Sequence, residues 1–290
     1  MSGAREAHTA SGSLPDAERL ATLLLLEDGP VDVTTEVTVA PATEGRAVIE
    51  FREPGVVAGL AYAEAVARRS GAPLVVWRCG EGQGLDAGTV VGTLHGPLAP
   101  MLRAERPLLN LLQRASGIAT ITRRFVDAVV GTPCRILHTR KTGPGLREFD
   151  VRAVLAGGGS RHRTDLAREV MVKDNHWRAL ARQGRTLLQA LENARARGVT
   201  ACHVEVESPV QLEEACAAGA TRVLIDNQAP ETVRVWAERA RALDPRVQVE
   251  ASGGISLDNV RCYAEAGADF VSVGALTHSV RAADIALTIQ

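Results

Sequence analysis

The chain has 290 residues, 46% of them hydrophobic and 23% charged, with a formal net charge of −1. That length suffices for one large domain or two medium ones with real cores, and the charge balance argues against a general nucleic-acid or membrane-surface binder. Aromatic residues, at 3%, are too few to supply base-stacking platforms. The cysteines Cys79, Cys134, Cys202, Cys216 and Cys262 show no CxxC or metal-finger spacing, so free thiols in a reducing, cytoplasmic setting are expected. No apolar run approaches a membrane span, and the polar N-terminus has no signal-peptide h-region. The small, polar stretch before Pro15 reads as disordered.

In chain order, Asp16–Leu26 reads as a helix, and Val48–Phe51, Leu74–Arg78 and Thr89–Leu94 read as strands. Glu81–Gly84 and Gly96–Pro97 punctuate them. A longer helix over roughly Met101–Ile118 carries an apolar stripe of Leu102, Leu109 and Leu112 and a polar one of Arg106, Asn110 and Gln113. That polar stripe fits a solvated face, a surface docked on another chain, or a helix lending Arg106 to a neighbouring site.

From about Ala119 the pattern becomes repetitive β/α. The apolar runs Cys134–Arg140, Glu169–Lys173, His203–Glu205, Arg222–Asp226, Val247–Ser252 and Phe270–Gly274 each end in a residue able to bind charge. Between them lie helix signals: Ser208–Pro209 opening and Gly219 closing one helix, Ala229–Pro230–Glu231 opening the next, and Ser256–Leu257–Asp258 opening one that ends at Gly267. This cadence is that of a parallel β/α barrel, whose chemistry gathers at the carboxyl ends of its strands. The domain boundary is expected near Gly117: residues 1–117, rejoined by 279–290, form an N-terminal domain, and 118–278 form the barrel.

The strand tips offer cations, then carboxylates, then glycine turns. Arg140, Lys141, His162, Arg163 and Lys173 lie on or just after the first two barrel strands. Clustered cations repel, so a fold keeps them close when an anion is usually present. Gly157–Gly159 reads as a loop that folds over a ligand. Glu205 and Asp226 can face each other across the mouth, either as an oxygen-only Mg²⁺ site or as acids neutralised by Lys173 or Arg140; Glu207 ranks below them. Ser252-Gly253-Gly254 and Gly274-Ala275 expose backbone N–H groups where barrels bind phosphate. His176, His203 and His278 lack zinc-site spacing, and no nucleophilic triad stands out.

The ordered motifs Glu105-Arg-Pro-Leu-Leu-Asn110, Thr139-Arg-Lys-Thr142, Pro144-Gly-Leu-Arg147, His162-Arg163, Lys173-Asp-Asn-His176, Glu205-Val-Glu207, Asp226-Asn227, Glu250-Ala-Ser-Gly-Gly-Ile255 and Ser272-Val-Gly-Ala-Leu-Thr-His-Ser279 resemble those of the quinolinate phosphoribosyltransferase family. The resemblance runs over nearly the whole chain from about residue 20. It implies an N-terminal α/β sandwich-like domain followed by an incomplete, seven-stranded-type β/α barrel. It also implies a homodimer, possibly assembled into a hexamer, with Arg106 entering the partner's site. The implied reaction joins quinolinate to phosphoribosyl pyrophosphate with Mg²⁺, giving nicotinate mononucleotide, pyrophosphate and CO₂ in NAD biosynthesis.

By the same resemblance Arg106, Arg140, His162 and Arg163 would hold the acceptor carboxylates, and Lys141 and Lys173 carboxylate or phosphate groups. Glu205 and Asp226 would bind ribose hydroxyls and the metal, and Ser252, Gly253, Gly254, Gly274 and Ala275 the 5′-phosphate. The chain departs from the family pattern at His138 (usually Asp), Arg161 (usually Asn), Asp165-Leu166 (usually Gly-Leu) and Asp150-Val151-Arg152. These changes surround the acceptor pocket and leave open a relative acting on another pyridine carboxylate. The same fold would also serve a non-catalytic or molybdenum-transport-associated homologue, and a phosphate-binding barrel such as an aldolase could use Lys173 as Schiff base.

Overall fold

The computed structural model describes residues 14–290, so the stretch read as disordered lies, but for Leu14, outside the described residues. In chain order the first elements are α1 (Pro15–Glu27), α2 (Val33–Thr38), β1 (Glu44–Phe51), β2 (Gly55–Val56), α3 (Leu60–Ser70), β3 (Val76–Trp77), β4 (Gly84–Leu85), β5 (Thr89–Pro97) and α4 (Leu98–Ala128). There follow β6 (Arg135–Leu137), α5 (Arg147–Ala156), β7 (Val170–Val172), α6 (Asp174–Arg182), α7 (Leu187–Ala196), β8 (Cys202–Val206) and α8 (Pro209–Ala217). The chain ends with β9 (Arg222–Asp226), α9 (Pro230–Leu243), β10 (Gln248–Ser252), α10 (Val260–Glu265), β11 (Phe270–Ser272), α11 (Ala275–His278) and β12 (Ile285–Ile289). Two compact units result: residues up to Ser116 with Ala282–Gln290, and Gly117–Arg281.

The first unit holds a four-stranded antiparallel sheet in the order β12-β1-β5-β3 and a small β2-β4 ribbon. The Tyr62 hydroxyl donates to Asp16 Oδ2 at 2.6 Å and Arg68 pairs with Glu18 at 2.7 Å, tying α3 to α1. The Glu81 carboxylate accepts from the N–H groups of Gly59 and Leu60, an anion placed at the positive end of α3. Gly92 on β5 has no room for a side chain, since a Cβ there would meet Val75 Cγ1 at 2.6 Å. β5 continues through Gly96–Pro97 instead of stopping before them, and α4 extends beyond the expected helix at both ends.

In the second unit six parallel strands take the order β6-β11-β10-β9-β8-β7. Ser160 adds a one-residue parallel bridge to Leu137 beyond β6. Among the described residues nothing pairs the Ser160 segment with β7, so the barrel stays open at that seam and is incomplete, as the motifs implied. Several strands are shorter than their apolar runs: Arg140, Lys173 and Gly274 stand in the loops after Leu137, Val172 and Ser272. The helix expected from Ser256 starts at Val260, because Asn259 Oδ1 takes the Ser256 N–H into a turn at 2.8 Å.

Strand alternation sends Val204, Val206, Val223, Ile225, Val249 and Ala251 outward, all buried. The intervening residues point inward in register. His203, Arg222 and Gln248 form one layer, Glu205, Leu224 and Glu250 the next, and Asp226, Ser252 and Ser272 another toward the carboxyl ends. Barrel interiors are usually filled with branched aliphatic side chains; this one is polar along much of its length.

Candidate active site

At the carboxyl ends of the second unit's strands lies a cavity of about 400 Å³. Arg140 and Lys141 reach it from the loop after β6, His162 and Arg163 from the open seam, and Lys173 from the end of β7. Glu205, Asp226 and Ser252 reach it from β8, β9 and β10. The structure therefore gathers eight of the sequence-derived site residues into one cavity. Gly253 and Gly254 follow Ser252 directly, and Gly274 lies beside Lys141, whose Cδ would be 3.4 Å from a Cβ at that glycine. Ala275 opens α11 next to it. Arg106 belongs to the first unit, where it lines a separate depression with Asp28, Asp32 and Arg103.

Two acids set the electrostatics of the β8–β9 wall. Lys173 Nζ donates to Glu205 Oε2, and the Trp177 indole N–H donates to the Glu205 carbonyl at 2.9 Å. Glu205 and Asp226 stand on neighbouring strands, as their order in the chain leads one to expect, but one layer apart, since Glu205 is in register with Leu224. Burial pushes the Asp226 carboxyl above the usual carboxylate range, and Glu205 pushes it further, with Lys173 opposing. Asn227 holds Asp226 in place: its Nδ2 donates to Asp226 Oδ2 at 2.6 Å, and its own N–H donates to the Ser252 carbonyl at 2.8 Å. To do so Asn227 adopts φ 52°, the one positive φ among described non-glycine residues. The facing Gly253 (φ 89°) admits no side chain, since a Cβ would meet Asn227 Oδ1 at 2.1 Å.

The opposite wall is built around Glu250, which is fully buried. Its carboxylate accepts from Ser272 Oγ, from His162 Nε2 at 3.3 Å and from Arg222 Nη1 at 3.1 Å. Burial alone would raise this carboxyl, but the bonds from His162 and Ser272 and the charge of Arg222 outweigh it and hold it down to about 2. His162 Nδ1 accepts the Arg163 N–H at 2.8 Å, which leaves Nε2 to carry the hydrogen that reaches Glu250. Both ring nitrogens are thus engaged within the protein. The ring orients Arg163 and does not itself offer a free donor to a ligand carboxylate. One layer further, His138 Nε2 accepts the His162 N–H at 3.0 Å while its Nδ1 lies 3.2 Å from the Thr139 carbonyl. Burial lowers the His138 pKa.

Burial also lowers the Arg163 pKa, and Arg140 beside it adds to that. Two guanidinium groups crowded and partly desolvated at one wall form a receptor for negative charge. The Gly157–Gly159 triplet plays a different part from the ligand loop read in the sequence. A Cβ at Gly157 would sit 2.4 Å from the Ala119 carbonyl oxygen, and one at Gly159 would sit 2.6 Å from Val154 Cγ1. Both are glycine because the backbone packs against α4 and α5.

Models of two domain families match the chain: "Quinolinate phosphoribosyl transferase, N-terminal domain" over residues 32–116 and the corresponding C-terminal domain over residues 118–288. The chain belongs to the quinolinate phosphoribosyl transferase family. It is 40% identical over 263 residues to the nicotinate-nucleotide pyrophosphorylase [carboxylating] of Mycobacterium leprae, covering 89% of this chain and 91% of that protein. It is 41% identical over 265 residues to a probable nicotinate-nucleotide pyrophosphorylase [carboxylating] of Methanothermobacter thermautotrophicus, covering 89% and 93%. Among solved structures, the nicotinate-nucleotide pyrophosphorylase from Francisella tularensis superposes with a TM-score of 0.88 at 30% identity, over 96% of this chain and 98% of that one.

Within this quinolinate phosphoribosyl transferase family member, the departures noted in the sequence acquire positions. His138 is the buried prop beneath His162, Arg161 pairs with Glu148 at 3.6 Å, and Asp165 accepts the Ala167 N–H at 2.9 Å. Asp150, also buried, accepts the Gly143 N–H at 3.0 Å and steadies the loop carrying Arg140 and Lys141. Sequence reasoning missed Glu250 and Ser272 as parts of the site. The signal was present in the alternation of Gln248-x-Glu250-x-Ser252, which places a carboxylate on an inward position. Glu205 and Asp226 suit a hard cation, because the repulsion from Glu205 that adds to burial in raising Asp226 would be relieved by one. Among the described residues no group of three or more His, Cys, Asp or Glu side chains could hold a metal ion, so a cation here would complete its shell with substrate oxygens.

Proposed function

We propose that the chain transfers the phosphoribosyl group of phosphoribosyl pyrophosphate to the ring nitrogen of quinolinate. Loss of the neighbouring carboxylate as CO₂ then gives nicotinate mononucleotide, with pyrophosphate as the other product. One observation carries this reading: paired guanidinium groups and paired carboxylates line the same mouth. A doubly acidic ring and a sugar phosphate together need that combination.

Arg140 and Arg163 grip the two ring carboxylates, with Arg163 held in place by the His162 ring. Lys141 and Lys173 face carboxylate or phosphate groups. Glu205 and Asp226 take the ribose hydroxyls, and their charge favours the positive character that develops at C1′ as the pyrophosphate departs. Mg²⁺, held by Glu205 and Asp226 with substrate oxygens, would neutralise the leaving group. Ser252, Gly253, Gly254, Gly274 and Ala275 supply backbone N–H groups to the 5′-phosphate, and Arg106 enters a partner's site in a homodimer. Once the nitrogen is alkylated, the pyridinium accepts the electron pair released as the adjacent carboxylate leaves. Catalysis is then positioning and electrostatics, with no protein nucleophile. Cys79, Cys134, Cys202, Cys216 and Cys262 are all free, which fits a cytoplasmic enzyme.

The test is product analysis. Quinolinate, phosphoribosyl pyrophosphate and Mg²⁺ are expected to yield nicotinate mononucleotide and labelled CO₂ from carboxyl-labelled quinolinate. Parallel reactions with nicotinate and other pyridine carboxylates report acceptor choice. Absence of quinolinate turnover in a folded preparation overturns the reading.

A further inference from the structure

The polar interior of the second unit does not end at Glu250. Below it, at the amino ends of the strands, His203, Arg222 and Gln248 form an inward layer that opens into another cavity of about 390 Å³. Arg161, His162 and Arg163 close one side of this cavity, because the chain descends the open seam between the Ser160 bridge and β7. His162 and Arg163 therefore line both cavities.

Three guanidinium groups line the lower cavity against one carboxylate, Glu169. Arg161 is drawn to Glu148 at 3.6 Å and Arg222 to Glu250 at 3.1 Å. Arg222 is also packed over the Phe270 ring at 4.0 Å, which fixes its plane. Two buried polar atoms here lack a protein partner. The buried Nε of Arg222 and Nδ1 of His203 have no hydrogen-bond partner, although the His203 side chain is only 8% exposed. Glu169 Oε2 lies 3.8 Å from that Nδ1, beyond hydrogen-bond reach. Buried polar atoms are nearly always satisfied in folded proteins, so orphans lining a cation-rich cavity indicate an absent acceptor. A structural ion-pair network would account for Arg222 and Glu250 but leaves these two atoms idle.

We propose that this lower cavity is a binding site for a compact oxyanion, a phosphate or carboxylate group, held by Arg163 and Arg222 with the His203 ring beside them. It lies at the strand ends opposite the active site. Arg163 is shared by both cavities, so an anion below restrains the side chain that faces the acceptor above. The site would thereby couple occupancy at one end of the barrel to acceptor binding at the other.

Two exposed lining residues outside the catalytic set allow a clean test: Thr200→Glu and Gln248→Glu each place a carboxylate at the lower mouth. Full-length protein is titrated calorimetrically with inorganic phosphate, and separately with malonate, to distinguish phosphate from carboxylate ligands. Crystals soaked in selenate locate the anion by anomalous scattering. The expected result is an anion peak between Arg163 and Arg222, with binding of phosphate, of malonate or of both weakened on the order of tenfold in both variants, the anion affected naming the class the site takes. Anomalous density confined to the upper cavity, or variants that titrate like wild type with both anions, overturns the proposal. Because product formation is not the readout, failure here leaves the proposed reaction untouched.

Discussion

Replacing Glu250 by glutamine isolates the effect of one buried charge. The carboxylate accepts from three donors, Ser272, His162 and Arg222. An amide of the same shape has one acceptor oxygen and an NH₂ group, so at least one of these donors would face another donor. Breaking one side of a buried charged network costs about 3–5 kcal/mol, and retaining part of the hydrogen bonding brings the expectation to about 2–4 kcal/mol. The pH dependence gives an independent figure. The Glu250 pKa falls from 4.5 to about 2 on folding, which corresponds to stability on the order of 3 kcal/mol. A depressed carboxyl pKa stabilises the fold above the unfolded value, so this contribution is complete above about pH 5 and disappears as pH falls toward 2. Guanidinium chloride unfolding of wild type and Glu250→Gln between pH 3 and 7 measures both effects. The variant is expected to lose stability at pH 7 and to show a flatter acid limb. If its stability lies within about 0.5 kcal/mol of wild type at pH 7, with an unchanged acid limb, the reasoning about this wall is wrong.

Asp226→Asn is expected to stabilise the protein at neutral pH while lowering phosphoribosyl transfer on the order of a hundredfold. Because the Asp226 pKa is raised, the stability gain over wild type should shrink as pH falls and Asp226 protonates; thermal melts against pH check the sign. Lys173→Met leaves Glu205 without its ammonium partner. With Lys173 43% exposed, the unfolding cost should be only about 1 kcal/mol, below that of a fully buried pair. Gly253→Ala combines a positive φ with a clash against Asn227 and should cost more than about 2 kcal/mol, whereas Gly254→Ala, with open space around it, should cost about 1. Gly157→Ala should destabilise the protein more than Gly158→Ala, as its Cβ would collide with the Ala119 carbonyl; equal effects in chemical denaturation would count against the packing role of the triplet.

Much of the barrel was legible because crossover connections impose a cadence that apolar runs and helix caps reveal without any pair contact. Ser208, for example, caps α8 through a bond from the Gln211 N–H, with Pro209 at the first helical position, as the local sequence indicates. Register was not legible in the same way. That Glu205 pairs with Leu224, one layer below Asp226, depends on how two strands slide, which no single run specifies. The glycine triplet misleads for a related reason: local sequence shows that a backbone must come close to something, but not whether that something is a ligand or α4. His138 stands out in the sequence only as a departure, since its role depends on the N–H of a residue on a different segment. Glu250 escapes because a lone acid in an apolar run looks like a solvated edge position until the inward face is known.

The unpaired edge beside β7 has a consequence for how such proteins diversify. Residues 161–169 are anchored by point contacts: Arg147 Nη1 to the Thr164 carbonyl, the His162 N–H to His138, and Arg161 to Glu148. None of these belongs to a strand ladder, so length or composition can change there without a cascade of register slips through the six strands of the sheet. His162 and Arg163, which line the cavity at the strand ends, thus sit on a segment whose conformation is set by side-chain contacts, while the sheet beside it keeps its frame.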